Sequence, residues 1–239
     1  MFKLAELKMK SISHHYQLLS EILHLPVAEL HFLEAIDPVD IRATYRYYTK
    51  PHPRYKLIGH KTVGAALLDL GEFTSHDEYL ALIKGKNAGA YHAKRARSRG
   101  YQLRQIDRND HVDAIYAINT SLDERQGRPM DAKYRERQAH FETLPHFRYY
   151  GVFNAEGLLV AYANLGHYGN FAAFSQLIGI RNNDGIMHMM VVDIASELIG
   201  ERQVRYLMYD TFFGAHPGMQ TFKKILGFRP YRAKYRLQS

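Results

Sequence analysis

The stretch FAAFSQLIGIRNNDGIMHMMVVDIASELIGERQVRYLMYDTFF, residues 171–213, decides how the chain is read. Its opening FAAFSQLIGI is an apolar run of strand length. RNND is polar and leads into Gly185, the composition of a turn. From there GIMHMMVVDIASELIGER carries apolar residues at helical spacing and predicts a well-patterned helix. VRYLMYDTFF is again a strand, rich in aromatic and apolar side chains.

Toward the C-terminus, MQTFKKIL is a short helix stopped by Gly227, because glycine adopts the left-handed conformation that ends a helix. FRPYRAKYRL closes the chain as a strand with alternating faces. Upstream, RYYGVFNA, the turn EG and LLVAYANLGHYG form a hairpin. Before it, NDHVDAIYAINTSLDERQ (109–126) predicts a helix capped by Asn109, with Val112, Ile115, Ile118 and Leu122 on its buried stripe. A turn at Gly127-Arg128-Pro129 leads to a second, more polar helix over DAKYRERQAHFETL (131–144). YQLRQI (101–106) is a short strand, and KTVGAALLDL (61–70) a strand of a buried sheet.

Between those strands, residues 73–100 predict a helix capped by Thr74 or Ser75, with Asp77 and Glu78 in its first turn. Gly85 and Gly89 predict a break, and the run then turns basic toward Gly100. In the first sixty residues, SISHHYQLLSEILH (11–24) reads as a helix and AELHFLEAI (28–36) as a strand. VDIRATYRYYTK (39–50) fits either element.

A chain of 239 residues can bury a sizeable core as one large domain or two small ones. Hydrophobic residues at 46% and charged residues at 23% suit a soluble globular protein. No apolar run approaches the ~18 residues of a membrane-spanning helix, and the N-terminal sequence lacks the pattern of a signal peptide. Cysteine is absent, which excludes disulfides and thiol catalysis and makes the cytoplasm the simplest setting. The net charge of +8 points to anionic partners: nucleic acid, an acidic lipid surface or a phosphorylated small molecule. The 14 histidines show no H-E-x-x-H or similar spacing, so no metal site is expected.

The order strand, two helices, hairpin, third antiparallel strand, helix, strand, helix, strand over residues 101–239 resembles the GNAT acyltransferase fold. Two stretches look like its FemABX-type branch, the peptidoglycan aminoacyl transferases and their single-domain relatives. TVGAALLDLGEFTSHDEYLALIKGKNAGAYHAKRARSRGYQL (62–103) is similar to the family's strand, charged helix and entry into the domain. GMQTFKKILGF (218–228) is similar to its G-(two or three)-F-K-x-x-x-G ending. The resemblance covers roughly residues 61–239. It implies an α+β fold, an α/β/α sandwich of GNAT acyl-CoA N-acyltransferase type. The mixed central sheet would hold a splayed parallel strand pair. Residues 1–60 would form an N-terminal helical extension, and 61–239 the acyltransferase domain with its core at 101–239.

The resemblance further implies an N-acyltransferase that moves an acyl group from coenzyme A, another carrier or an aminoacyl-tRNA to an amine. The acyl-CoA or aminoacyl-tRNA enters as co-substrate, with no permanently bound cofactor. The acceptor would be a small-molecule or peptide amine, tRNA is a candidate partner, no stable membrane insertion is expected, and an oligomer is left open. In this fold the donor lies along an open strand edge, with its pyrophosphate at the start of the next helix. Those positions here are Leu177, Ile178, Gly179, Ile180, Arg181, Asn182, Asn183, Gly185 and Ile186. The common pattern (Q/R)-x-x-G-x-(G/A) is not kept. Ile186 and Met187 stand where room would be wanted, and Asp184 places a negative charge where a phosphate would sit. That departure resembles FemABX-like sequences and favours an aminoacyl-tRNA or other carrier-bound donor.

Lys223 stands where many GNAT enzymes carry a catalytic Tyr, and the FemABX resemblance implies a cation for negative charge at the reaction centre. Tyr209, Asp210 and Thr211 fall at a strand's C-terminal end, where open α/β sheets bind ligands. Tyr209 and Asp210 are catalytic candidates, Asp210 to take the acceptor's proton directly or through water, and Thr211 is a substrate-binding candidate. Lys94 and Arg95 open the basic run suited to a phosphate-bearing substrate or tRNA. Arg125 and Arg128 suit bidentate recognition of a carboxylate or phosphate on the acceptor. A second reading keeps the fold without catalysis, as a module binding nucleic acid or a phosphorylated ligand through its basic face.

Overall fold

A computed structural model describes residues 22–53, 56, 58–125 and 128–239. The helix expected over 11–24 falls largely outside the described residues. Eight strands form one mixed sheet: β1 (Val27–Leu33), β2 (Val63–Asp69), β3 (Gln102–Gln105), β6 (Phe147–Phe153), β7 (Leu159–His167), β8 (Phe171–Gly179), β9 (Tyr206–Thr211) and β10 (Arg229–Gln238). Their spatial order is β1-β10-β2-β9-β8-β7-β6-β3. The pairs β1/β10 and β8/β9 are parallel and the rest antiparallel. Two further short strands, β4 (Glu124–Arg125) and β5 (Arg128–Pro129), pair with each other.

Helices cover both faces, giving the expected α/β/α sandwich. On one face lie α1 (Pro38–Thr49) and α4 (Val112–Thr120); on the other α2 (His76–Leu82), α3 (Gly89–Ser98), α6 (Ile186–Glu201) and α7 (Pro217–Ile225). The four-residue α5 (Ala132–Arg135) follows β5. Sequence-local chemistry accounts for several boundaries. Asp37 accepts from the N–H groups of Val39 and Asp40 and Pro38 is pre-set for a first turn, which resolves the ambiguous 39–50 segment as helix. Ser75 caps α2, and the expected break separates α2 from α3. Gly227, at φ +85°, ends α7.

Two expectations need correction. The first domain helix stops at Thr120 rather than near 126, where the hydroxyls of Thr120 and Ser121 turn back to the carbonyls of Tyr116 and Ile118. No side chain caps its start at His111; Asp107, not Asn109, caps the 3-10 turn Arg108–His111 that leads into it, accepting from the Asn109 N–H at 2.8 Å. The predicted helix over 131–144 shrinks to α5, because tertiary bonds hold its second half in an irregular course. The Asn109 amide brackets the backbone of Phe141, donating to its carbonyl and accepting from its N–H. Arg108 meanwhile stacks on Phe141 and Tyr149.

The described part of the first sixty residues joins the sheet. β1 runs along β10 from Val27↔Arg232 to Leu33↔Gln238. Phe32 is fully buried amid the rings of Tyr45, Tyr48, Tyr168, Phe171 and Tyr235, all with centroids within 5.9 Å.

The feature that positions everything functional is the seam between β8 and β9. Its ladder runs only through Phe171↔Tyr206, Ala172↔Leu207 and Ala173↔Met208, after which the strands part. Each strand is bulged where the parting begins. Against β7, β8 carries an extra residue between Phe174 and Gln176; against β2, β9 spans Met208 to Thr211 while its partner advances only from Leu67 to Ala65. A bulge bends its strand and strengthens local twist, so two bulges side by side pull the strands apart. Asp210 sits in the second bulge at φ +54°, a left-handed conformation that Asp tolerates better than most residues.

Replacing Phe32 with Ala should cost about 3–5 kcal/mol of stability. Urea unfolding measures this, and a loss below about 1 kcal/mol would show that β1 is not part of the core.

Candidate functional site

Two clefts open where the strands part, one on each face of the sheet. The first, of about 570 Å³, lies on the α3/α6 face between β8, the start of α6 and α7. The second, of about 530 Å³, lies on the α1 face against α5. Leu177 and Tyr209 line both, so the parted seam is the passage between them.

Of the nine positions expected to hold the donor, all but Ile178 line the first cleft, and Ile178 lines the second. The period of two along β8 sends neighbouring side chains to opposite faces. Gly185 caps α6 at φ +89°, and a Cβ there would meet the His92 carbonyl at 2.4 Å, so glycine is required on both counts. No side chain caps α6. Its first amides therefore face the cleft uncapped, at the positive end of a 16-residue helix.

Asp184 does not spoil this arrangement. Its carboxylate is held by Arg99 and by the Tyr101 hydroxyl at 2.7 Å, so its charge is paired by residues just past α3 instead of facing a phosphate. The basic run is correspondingly divided. Arg97 pairs with Asp193 and Arg99 with Asp184, while Lys94 is exposed and lies away from the cleft. Arg95 lines the cleft, and its buried Nε has no hydrogen-bond partner among the described residues. Arg181 stands exposed at the same cleft. His188, stacked on His92 at 4.4 Å, is lowered to about 4 by burial first and then by His92 and Arg95, so it is neutral near pH 7.

The fold brings Tyr209, Asp210, Thr211 and Lys223 together at the bulged end of β9. Tyr209 packs against Phe174, Phe222 and Phe228, and burial, with Asp210 nearby, raises its phenol well above its ordinary range. Asp210 lines the second cleft and is paired with Lys61. Lys223 lines neither cleft. It is 2% exposed, donates to the Thr211 carbonyl at 2.8 Å and lies over the Tyr209 ring. It also lines a third cavity of about 410 Å³ behind β9, together with Lys61, Asp210 and Thr211. Burial lowers its amine to about 8, opposed by Asp210 and reinforced by Lys61. The backbones of Arg125 and Arg128 face each other across the β4–β5 turn, and their side chains lie outside the described residues.

Sequence reasoning missed several lining groups. Lys61 lies two residues before β2 and meets Asp210 across 149 positions of sequence, with no local motif to signal it. Asp40, Tyr47 and Tyr48 reach the second cleft from α1, a segment that sequence left ambiguous. His216 accepts from the Gly218 N–H to cap α7 and lines the first cleft; a His-Pro pair before a helix could have flagged it.

The lowered Lys223 has a sign that can be measured. In the unfolded chain it holds its proton up to about 10.5 but in the folded chain only to about 8. The cost of its charge is therefore full below pH 8 and is relieved as pH rises from 8 toward 10.5. Raising pH from 7 to 10 should shift the melting temperature of the wild type upward relative to Lys223→Met; parallel profiles would show that Lys223 is solvated.

No family model and no curated protein sequence matches the chain. Among solved structures it is similar to FemX, at 11% identity and a TM-score of 0.54, covering 70% of this chain and 59% of that one. It is also similar to the C-terminal domain assigned to a lysylphosphatidylglycerol synthetase of Agrobacterium fabrum, at 16% identity and a TM-score of 0.50, covering 71% and 58%. The chain thus spans somewhat under two thirds of the length of either. Among the described residues no helix is long and apolar enough to cross a membrane. With the parted seam and the helix-start cleft between them, these likenesses show that the chain has the expected GNAT-type fold, shared with FemX and with this domain.

Proposed function

We propose that the chain is an N-acyltransferase that moves an acyl or aminoacyl group from a phosphate-bearing carrier to an amine. The observation that carries this reading is the parted β8–β9 seam, which joins a cationic cleft to an acidic one through Leu177 and Tyr209. The carrier's phosphates would lie in the first cleft, against the start of α6, Arg95 and Arg181. Its acyl arm would run along the edge that β8 presents after Ala173, where main-chain N–H groups can support a carbonyl oxygen as it gains negative charge. Coenzyme A, another carrier thioester and the ester of an aminoacyl-tRNA share this chemistry.

The amine would arrive through the second cleft and attack the carbonyl carbon. A C–N bond forms, the carbon–sulfur or carbon–oxygen bond to the carrier breaks, and the amine releases a proton. Asp210 lies at that cleft with a carboxyl group positioned to accept it, and Lys61 holds that group in place. Tyr209, kept protonated by burial, stands at the junction to return a proton to the departing carrier. Lys223 would act one step back, fixing the Thr211 carbonyl and the Tyr209 ring from behind the bulge. FemX and the synthetase domain agree with a transferase at the level of fold.

A thermal-shift panel with acetyl-CoA, longer acyl-CoAs and aminoacyl-tRNA tests the donor side, because a ligand of the native state raises apparent stability. One donor class should stabilise the protein, and Arg95→Ala should weaken it by about tenfold or more. Steeply salt-dependent binding of unrelated RNA with no donor effect would favour a binding module. With a stabilising donor in hand, Asp210→Asn should lower turnover by about 10²-fold or more while leaving donor binding intact. Unchanged turnover would remove Asp210 from proton transfer.

A further inference from the structure

The two clefts differ in sign, although the chain as a whole carries +8. The first presents Arg95 and Arg181 against the single carboxylate of Glu124. The second presents Asp40, Asp131 and Asp210 against the single ammonium of Lys61. Asp210 is paired with that lysine, and Asp40 lies 3.0 Å from the buried His146, while Asp131 is exposed at the rim. Around these carboxylates the walls are aromatic, with Tyr47, Tyr48, Tyr134, Phe147, Tyr168 and Phe174. Burial raises the phenols of Tyr48 and Tyr168 far above neutrality, so they stay uncharged. The Tyr47 ring already has two ammonium groups near it, Lys50 at 4.5 Å and Lys61 at 5.9 Å from its centroid. Ring faces beside carboxylates are the surroundings that favour an ammonium group.

An independent feature points the same way. Past Tyr134 and Gln176 the cleft continues into a recess of about 370 Å³. Asn164 lines it, is only 5% exposed, and its Oδ1 has no hydrogen-bond partner among the described residues. A buried acceptor left open is satisfied by an N–H donor. The recess also holds Arg108, Lys133 and Glu142. Arg108 stacks on Tyr149 at 4.0 Å and donates through a terminal nitrogen to the Glu142 carbonyl, while its buried Nε has no hydrogen-bond partner among the described residues. Lys133 is exposed above the Tyr134 ring.

We infer that the second cleft selects a dicationic acceptor, a linear diamine or polyamine. One nitrogen reaches the parted seam while a second, charged nitrogen rests among the Asp40 and Asp131 carboxylates and the aromatic walls. The inference rests on the acyl-transfer reading for the reacting nitrogen, and it adds the class of acceptor.

The test uses three probes of equal chain length that differ only at the far end: cadaverine with an ammonium, n-pentylamine with a methyl group, and δ-aminovalerate with a carboxylate. Binding is measured by titration calorimetry without any donor, on the wild type, on Asp131→Asn, whose exposed site tolerates the change, and on Asp40→Asn. Cadaverine should bind at least about tenfold more tightly than either relative, and each variant should remove most of that preference. Equal binding of all three, absence of binding, tighter binding of δ-aminovalerate, or a preference that survives both variants would overturn the inference. Transfer from the donor found by the panel is then scored with the same amines. Transfer to all three at one rate retires the dicationic acceptor and keeps the transferase, whereas variant-sensitive cadaverine binding without transfer from any donor does the reverse.

Discussion

The arrangement depends on a ladder that is allowed to stop. A parallel pair inside a sheet normally satisfies its peptide groups along its whole length, because buried N–H and C=O groups without partners are costly. Here β8 and β9 bond through only three residue pairs and then diverge at facing bulges. Asp210 accepts a left-handed backbone, a conformation that costs on the order of 1 kcal/mol or more in a non-glycine residue. The surrounding sheet makes this tolerable, since β7 holds β8 and β2 holds β9 through antiparallel ladders that resume beyond each bulge. Lys223 secures the loosened end of β9 from behind by bonding the Thr211 carbonyl. The opening is thus a local weakness clamped within a rigid frame.

Opposite charge on the two sides of that opening follows from which helices supply the walls. α3 and the start of α6 bring Arg95 and uncapped amides to one face, whereas α1 and the segment around α5 bring Asp40, Asp131 and tyrosines to the other. The sheet between them keeps the two fields apart, and low-dielectric walls focus each within its own cleft. A net charge of +8 therefore describes the molecule poorly at its centre. Part of the basic run is spent on ion pairs within the protein, where the exposed Arg97 and Arg99 pair with Asp193 and Asp184.

The fold was largely legible because residues 101–239 alternate strand and helix periodicities with clear stops. The apolar runs of β7 and β8, the stripe of α6 and the terminator Gly227 are local signals that packing did not override. Where sequence misled, tertiary bonds had won. The 131–144 segment was expected to be helical, yet the Asn109 amide and the Arg108 guanidinium hold its second half in an irregular course. Asp184 looked repulsive because the sequence does not show that Arg99 and Tyr101 turn toward it. Lys61 and the α1 tyrosines were invisible as site residues because only the folded sheet carries them to β9. Bulges leave little trace in one sequence, and the parting itself came from resemblance instead of periodicity.

The parallel pairing of β1 with β10 has a bearing on how the molecule assembles. Val27 finds its partner at Arg232, so this edge closes only after β10, far along the chain, has been synthesised. Contacts so distant along the chain form slowly, since loop closure must precede any gain from them. During that interval β10, with its Tyr231 and Ala233, would present a bare strand margin to the cell. The basic residues Arg232, Lys234 and Arg236 along it are the kind of side chains that discourage edge-to-edge association in waiting intermediates.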